Sequence, residues 1–147
     1  MDYLGALRIS GSGLSAQQTR MNTISSNLAN AETTRTHDGS GPYKRKDPIF
    51  VAIPDRTSFD EVLTNAMDEQ AEQVAVEDIM EDTSAPKMVF KPDHPDANEQ
   101  GYVAMPNVNV VEEMANMIST SKAFEANAQA LATTKALAMK ALELGRG

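Results

Sequence analysis

Cysteine is absent from this 147-residue chain, so neither a disulfide nor a thiolate-ligated metal can hold it together. Tryptophan is absent too, and only three tyrosines and four phenylalanines are present. Aromatic side chains supply much of the buried area of a compact core. Nine methionines suit helix surfaces that adapt to several neighbours. This composition predicts a thin core and surfaces that pack against other chains.

Long apolar runs are also missing. No stretch approaches the roughly 20 apolar residues that a membrane-spanning helix needs. The N-terminus lacks the basic region followed by an apolar run that is typical of a cleaved secretion signal. We therefore expect no direct membrane insertion, and either residence in the cytosol or export by a route that needs no cleaved signal peptide.

The chain also lacks an excess of basic residues. The net charge is −8, and residues 47–101 alone carry three basic and fourteen acidic residues, a balance of −11. This acidity argues against nucleic acid as a partner. Residues 1–46 and 102–147 carry balances of +3 and zero. Nearly neutral ends suit close packing against like chains, because buried charge is costly to desolvate.

The N-terminal segment has a heptad pattern that predicts one helix over residues 3–30. Its narrow apolar row is typical of a coiled-coil-like seam and consists of Leu7, Leu14, Met21 and Leu28. Asn30 is a predicted C-cap, because asparagine tolerates the left-handed conformation that ends many helices.

Two glycines interrupt this heptad pattern within the segment Ser10-Gly11-Ser12-Gly13. Each interior glycine costs a helix about 1 kcal/mol relative to alanine. Gly11 lies on the seam side, where we expect close packing against a neighbour to matter. Gly13 lies off that row, where low helix propensity should dominate. The alternative is that both glycines mark a break between two short helices; we expect a continuous helix.

The middle of the chain predicts a small β-rich insert with long loops. The segment 43–53 is a predicted strand that Pro48 confines to a sheet edge or interrupts. A capping box formed by Ser58 and Glu61 predicts a short helix over 58–67. The further predicted strands are 72–78, 86–91 and 102–105, and the segment 92–101 is a predicted turn-rich loop.

A second long helix is predicted between Asn109, a good N-cap with Glu112 three residues on, and Gly145. One heptad row consists of Val110, Met117, Phe124, Leu131 and Ala138, and its neighbour of Met114, Ser121, Ala128, Lys135 and Leu142.

The predicted fold is mainly α with a small β-rich insert, in which the long terminal helices pair as a coiled-coil-like bundle. The parts are a helix in 1–31, an insert in 32–105 and a helix in 106–147. A single pair of helices cannot bury the apolar heptad rows of both helices. Identical or similar chains are therefore the simplest further partners.

Three polar groups are candidates for chemistry. By residue type Asp93, His94 and Asp96 could bind a metal, but their spacing is typical of a solvated turn. His37 beside Asp38 has no accompanying nucleophile motif or phosphate-binding loop. The run Tyr43-Lys44-Arg45-Lys46 is more typical of a solvated strand end, although it could meet an acidic neighbour.

Segments at both ends of the sequence resemble the axial proteins of the bacterial flagellum, most closely proximal rod proteins of the FlgC type. The N-terminal match is Gly11, SAQQTRMN (15–22) and SNLANAET (26–33). The C-terminal match is GYVAMPNVNVVEEMANMISTSKAFEANAQAL (101–131) and KALELG (140–145).

This resemblance implies a structural subunit of the basal-body rod, the drive shaft that crosses the periplasm. Its terminal helices would stack into a helical tube around the export channel. Its partners would be copies of itself, other rod subunits and the flagellar type III export apparatus. No enzyme activity and no cofactor are expected.

The resemblance also implies a set of subunit-interface residues at the two ends of the chain. They are Leu7, Gly11, Leu14, Met21, Asn27, Leu28 and Asn30, and Pro106, Asn107, Val108, Val110, Met114, Met117, Phe124, Asn127 and Leu131. Asn27 and Asn30 would shape the helix end, or simply cap it. The alternative function is a soluble helical adaptor or export chaperone that binds a partner's helix.

Overall fold

A computed structural model describes residues 3–37, 39–54 and 72–145. It contains two long helices, α1 (Tyr3–Ala29) and α2 (Val110–Leu144). Four described strands lie between them: β1 (Lys46–Pro54), β2 (Glu72–Glu81), β3 (Lys87–Phe90) and β4 (Tyr102–Met105). The predicted class, long terminal helices with a small β-rich insert, is confirmed. The predicted helix over 58–67 lies outside the described residues.

Helix α1 runs without a break through both of its interior glycines, so the alternative of two short helices is wrong. The prediction for its C-terminus needs correction, since the only described residues with positive φ are glycines. Asn30 caps the helix with its side chain instead. Its Nδ2 donates to the carbonyl of Ser26 at 2.9 Å, and the Thr33 hydroxyl donates to its Oδ1 at 3.1 Å.

Helix α2 begins and ends as its flanking residues predict. The backbone N–H of Val111 donates to Asn109 Oδ1 at 3.2 Å, which confirms Asn109 as the N-cap. Gly145 follows the last helical residue and donates to the carbonyl of Ala141 at 3.1 Å. The buried acid of the first turn is Glu113, whereas Glu112 is exposed.

The described strands form two separate two-stranded sheets, β1 with β2 and β3 with β4. Pro48 lies within β1, and in a two-stranded sheet every strand is an edge, where proline is tolerated. Strands β3 and β4 are antiparallel, with Met88 opposite Ala104 and Phe90 opposite Tyr102.

The residues form two compact units, and each takes segments from both helices and from the insert. The first unit comprises described residues within 1–19, 49–78 and 120–147; the second comprises Arg20–Pro48 and Ile79–Ser119. Apart from glycine and proline, the buried hydrophobic residues in the described part of the chain are Ala16 in the first unit and Ile24, Tyr43 and Val103 in the second. The core is as thin as the composition predicts.

Candidate assembly site: a buried polar cluster and exposed apolar patches

The second unit is held together by a buried polar cluster, which we call the polar clasp: Asn27, Tyr43, Arg45 and Glu113. Asn27 comes from the last turns of α1, Tyr43 and Arg45 from the segment that enters β1, and Glu113 from the first turn of α2. Asn27 and Glu113 are each only 1% exposed. Burial of this kind is costly unless every polar atom has a partner.

Asn27 uses the full hydrogen-bonding capacity of its amide within the clasp. Its Oδ1 accepts from the backbone N–H of Lys46 and from the Tyr43 hydroxyl, both at 2.9 Å. Its Nδ2 donates to the Lys46 carbonyl at 2.8 Å and to Glu113 Oε2 at 3.3 Å. Two donors and two acceptor lone pairs are all that an asparagine side chain offers. This side chain therefore joins α1, the start of β1 and α2.

The buried carboxylate of Glu113 is paired with Arg45, whose Nε donates to Glu113 Oε1 at 2.7 Å. Arg45 Nη1 lies 3.3 Å from Asp47 Oδ2. Partial burial lowers the pKa of Arg45, but Glu113 and Asp47 outweigh that effect and raise the pKa above its ordinary value. The ion pair provides the compensation that a buried carboxylate requires.

The sequence did not predict the role of Glu113. It also left open whether the basic run 43–46 is a solvated strand end or contacts an acidic neighbour. The acidic partners of that run prove to be in the same chain, since Lys46 and Lys44 also lie 3.6 and 4.0 Å from Glu81. No local signal identified Glu113, because adjacent helix positions about 100° apart can both face solvent, as Val111 and Glu112 do.

A second polar group joins the turn-rich loop to the segment after α1. The Thr34 hydroxyl donates to Asp96 Oδ2 at 2.7 Å, and the Arg35 guanidinium forms an ion pair with the same carboxylate. The Thr34 hydrogen bond, with help from Arg35, holds the pKa of Asp96 below its usual value. The metal candidate Asp96 is thus occupied by protein partners, and the described residues contain no group of three acidic, His or Cys side chains placed to hold a metal ion.

The other chemical candidate is the pair formed by His37 and Asp38. His37 is exposed, whereas Asp38 lies outside the described residues.

The residues predicted for subunit contact differ in how exposed they are in the single chain. Asn27 and Pro106 are buried, while Val110, Met114 and Asn107 are exposed. The others are half-buried: Leu7, Gly11, Leu14, Met21, Leu28, Asn30, Val108, Met117, Phe124, Asn127 and Leu131. The N-terminal heptad row is therefore not the most deeply buried side of α1, and part of its apolar surface remains accessible.

Contrary to the expectation from the heptad pattern, helix propensity is not the dominant effect at Gly13, because this position is closely packed within the chain. In the first unit a methyl group at Gly13 would come within 3.3 Å of Asn127 Oδ1, whereas one at Gly11 would meet no described atom within 4 Å. Gly13 is the position of close approach, because its missing side chain makes room for an asparagine of α2.

Two exposed apolar patches lie on the second unit. The hairpin patch consists of Met88, Phe90 and Tyr102, which are 41–61% exposed. The helix patch consists of Val111, Met114 and Ile118, which are 52–75% exposed and share one side of α2 by their spacing. In the described part of the chain, no helix is long and apolar enough to cross a bilayer.

Comparison with known proteins agrees with this architecture at both ends. Residues 7–35 match the family model described as flagella basal body rod protein. Residues 99–144 match the model described as flagellar basal body rod FlgEFG protein C-terminal. The flagellar basal-body rod protein FlgC of Bacillus subtilis is 40% identical over 153 residues, covering 99% of this chain and all of the relative. The chain belongs to the FlgC family of flagellar basal-body rod proteins.

Other FlgC relatives are similar over the same extent. The protein of Yersinia enterocolitica is 39% identical and that of Escherichia coli O157:H7 is 38% identical, each covering 99% of this chain and all of the relative. The resemblance drawn from the end segments is confirmed, and the chain is a structural subunit of the flagellar basal-body rod. The adaptor alternative is not favoured.

Proposed function

We propose that this rod subunit assembles through its terminal helices into a helical tube around the export channel and transmits torque there. Its partners are copies of itself and neighbouring rod subunits, and it has no enzyme activity. The helices within residues 1–31 and 106–147 would form the contacts between subunits. Residues 32–105 would form the insert between these helices.

The observation that supports this proposal is the apolar surface that the helices leave uncovered. Contiguous exposed apolar surface on a folded chain is typical of an interaction site. In the described residues such side chains occur along α2, at Val110, Val111, Met114, Ile118, Leu137, Met139, Leu142 and Leu144, and α1 adds Leu4 near its start. A chain with so few buried hydrophobic residues gains more from covering these side chains against neighbours than from its own core.

The predicted interface residues then divide into two roles. The half-buried and exposed members, such as Leu14, Met114 and Phe124, would contact neighbouring subunits. Asn27 would contribute indirectly, because its amide is fully used within the chain. It fixes the local structure that carries the contacting side chains.

Export through the flagellar type III apparatus into the periplasmic rod, without a cleaved signal peptide, completes the proposal. A thin core supports it, since a chain that must pass a narrow channel unfolded benefits from a small unfolding free energy.

The test is localisation in a strain that lacks its own copy of the gene. A tagged chain should restore motility and co-purify with other rod proteins in isolated basal bodies. Recovery of the tagged chain only in a soluble complex, with basal bodies that lack it, would contradict the proposed role.

A further inference from the structure

We infer that the outer edge of β3 binds an extended acidic strand of a different protein, so that the β3–β4 hairpin becomes a three-stranded sheet. Such strand addition gains affinity from backbone hydrogen bonds and specificity from the side chains that flank them. It goes beyond the proposed assembly role, in which copies of the chain pack through their helices. Both strands of the hairpin belong to the second unit.

The hydrogen-bond register of the hairpin directs alternate backbone groups of β3 outwards. Lys91 donates its N–H to the Gly101 carbonyl at 2.9 Å. Phe90, the residue before Lys91, lies opposite Tyr102. In an antiparallel ladder this makes Phe90 and Tyr102 a non-hydrogen-bonded pair, so their N–H and C=O groups point away from each other. Met88 precedes Phe90 by two residues and therefore presents its N–H and C=O at the same outer edge.

The two edges of the hairpin differ in how these outward groups are bonded. On β4, Asn98 closes the edge at Tyr102, since its Oδ1 accepts from the Tyr102 N–H and its own N–H donates to the Tyr102 carbonyl, both at 2.9 Å. On β3, the outward groups of Met88 and Phe90 have no hydrogen-bond partner among the described residues. An uncovered strand edge of this kind is a template for pairing with another strand.

This edge is held extended and accessible before a partner arrives. The rings of Phe90 and Tyr102 lie edge to face, with centroids 5.3 Å apart and an interplanar angle of 66°. Gly101 has a φ of +79°, and a Cβ atom there would lie 2.8 Å from the Phe90 ring. Every β3 side chain except that of Val89 is exposed. A preformed edge lowers the entropic cost of adding a strand.

The charges beside this edge favour an acidic partner. The segment PKMVFKP (86–92) contains Lys87 and Lys91 and no acidic residue. Neither lysine has an ion-pair partner in the part of the chain that the structure describes. Both lysines share one face of the strand with Val89, because side chains alternate along a strand. On an added strand, the residue opposite each lysine would lie beside its side chain, where a negative charge is favourable.

The same lysines disfavour β3 of a second copy as the occupant. Antiparallel pairing of two such edges about Val89 would place Lys87 opposite the second copy's Lys91, and like charges directly opposite are destabilising. Pro86 and Pro92 limit the strand at both ends, so the edge accepts about five residues. The strand that fits therefore has an acidic side chain at each end of five residues and uncharged side chains between them.

Binding of a short synthetic peptide to the purified full chain tests the inference. The probe is a capped peptide of serine, glutamate, valine, threonine, valine, glutamate and serine, in that order, whose glutamates match the spacing of the two lysines. In hydrogen exchange followed by NMR, the peptide at millimolar concentration should slow exchange at the amides of Met88 and Phe90. Val89, which donates within the hairpin by register, should be unaffected. No protection, or protection elsewhere on the chain, would overturn the inference.

Two N-methylated peptides separate strand pairing from simple charge attraction. Methylation of both valine nitrogens removes the donors that would face β3 and should abolish the protection. Methylation of the threonine nitrogen, which would point away from β3, should leave the protection largely unchanged. Equal behaviour of the two methylated peptides would overturn the proposed strand addition.

Charge reversal tests the acidic character of the partner. The double variant Lys87→Glu, Lys91→Glu should bind the probe about tenfold or more weakly, and it should prefer a peptide with lysine in place of both glutamates. The matched control Lys122→Glu, Lys140→Glu changes two exposed lysines of α2 and should bind the probe normally. Circular dichroism checks that both variants are folded. Unchanged binding by the β3 variant would overturn the charge match.

Sedimentation of the natural chain tests whether a second copy is the occupant instead. We expect no self-association that the peptide inhibits. Self-association that the peptide inhibits, and that is lost in Lys87→Glu, Lys91→Glu, would identify an acidic segment of a second copy as the occupant and overturn the inference of a different protein.

Discussion

Gly11 and Gly13 differ in what a side chain would contact at each position. In the single chain a side chain at Gly13 meets Asn127, and one at Gly11 meets no described atom. Helix propensity acts alike on both, since replacing either glycine with alanine favours the helix by about 1 kcal/mol. Substitutions at Gly13 therefore report on packing within the chain, and substitutions at Gly11 report on packing against neighbours.

Gly13→Leu should lower the free energy of unfolding of the isolated chain, by about 1–3 kcal/mol as is usual for overpacking. Asn127→Ala in the same chain should recover much of the loss, because it removes the side chain that leucine displaces. Gly13→Ala should have a small net effect, since propensity and crowding oppose one another. Urea denaturation followed by circular dichroism measures each change. Equal stability of Gly13→Leu and the natural chain would show that the close approach to Asn127 is absent.

Gly11→Leu should leave the isolated chain at least as stable as before, because leucine favours a helix more than glycine does, and should block its incorporation into rods, because leucine would occupy a neighbour's space. A secretion assay, paired with purification of basal bodies, makes the comparison. Normal rods built from Gly11→Leu would remove Gly11 from the proposed interface.

Asp96 gives the second unit a dependence on acid pH. Its folded pKa lies below the ordinary value of 3.8 because Thr34 and Arg35 stabilise the carboxylate. The stabilisation is thus present above about pH 4 and is lost as the pH falls through the lower, folded pKa. Thr34→Val should raise the midpoint of Asp96 in an NMR titration. A midpoint that does not move in Thr34→Val would contradict the role of that hydrogen bond.

At the scale of elements, the polar clasp decides how the ends of α1, β1 and α2 meet. Glu113→Ala removes one partner from a buried ion pair and leaves the Nε–H of Arg45 and one Nδ2–H of Asn27 without their acceptor. We expect a loss of about 3–5 kcal/mol in unfolding free energy, the usual range for such a break. Glu112→Ala, at the exposed neighbouring position, should change it by less than about 0.5 kcal/mol. Chemical denaturation of the two variants side by side provides the measurement.

Replacing both members of the charged pair together should have a different effect from breaking it. The double variant Arg45→Met, Glu113→Leu keeps Asn27 on the Lys46 backbone and should be near the natural stability or above it, because apolar groups of similar size avoid the desolvation cost. A double variant as unstable as Glu113→Ala would show that the ion pair is needed for stability itself. Natural stability combined with failed rod assembly would instead support a role in fixing the register of the elements.

Local sequence signals predicted the helices well and the clasp poorly, for one physical reason. Periodicity and capping residues such as Asn109 and Gly145 are local, so they place α1 and α2 within about one residue. The contact of Asn27 with Glu113 joins positions far apart in sequence, and no local pattern carries it. The same limit explains Gly13, whose neighbour Asn127 could not be known before the helices were placed.

At the scale of the whole molecule, the thin core limits how firmly the helices are held in an isolated chain. Isolated helices need packing to persist in water, and the buried hydrophobic residues are few. In a dilute monomer, amide hydrogen exchange should be slowest around the clasp and faster near both chain ends, and assembly should slow exchange at the ends. Uniformly strong protection of both ends in the monomer would contradict this prediction.

Phe124 provides a further test of assembly because it is only half-buried in the single chain. Phe124→Asp would place a carboxylate in the proposed intersubunit seam, at a cost of several kcal/mol for each buried, unpaired charge. Cells should export the variant but fail to build a rod. Thr83→Asp adds the same charge at an exposed position of the insert and should support motility. Normal motility with Phe124→Asp would remove this residue from the seam.

The clasp also has a mechanical consequence for a shaft under torsion. Apolar surfaces resist separation, yet they allow sliding, because the buried area changes little when one row of side chains moves towards the next. Hydrogen bonds and the Arg45–Glu113 pair weaken steeply with small changes in distance and angle. Shear along the helix axes therefore strains the clasp first. The clasp of a subunit built in this way would keep the axial position of its own elements from one rotation to the next.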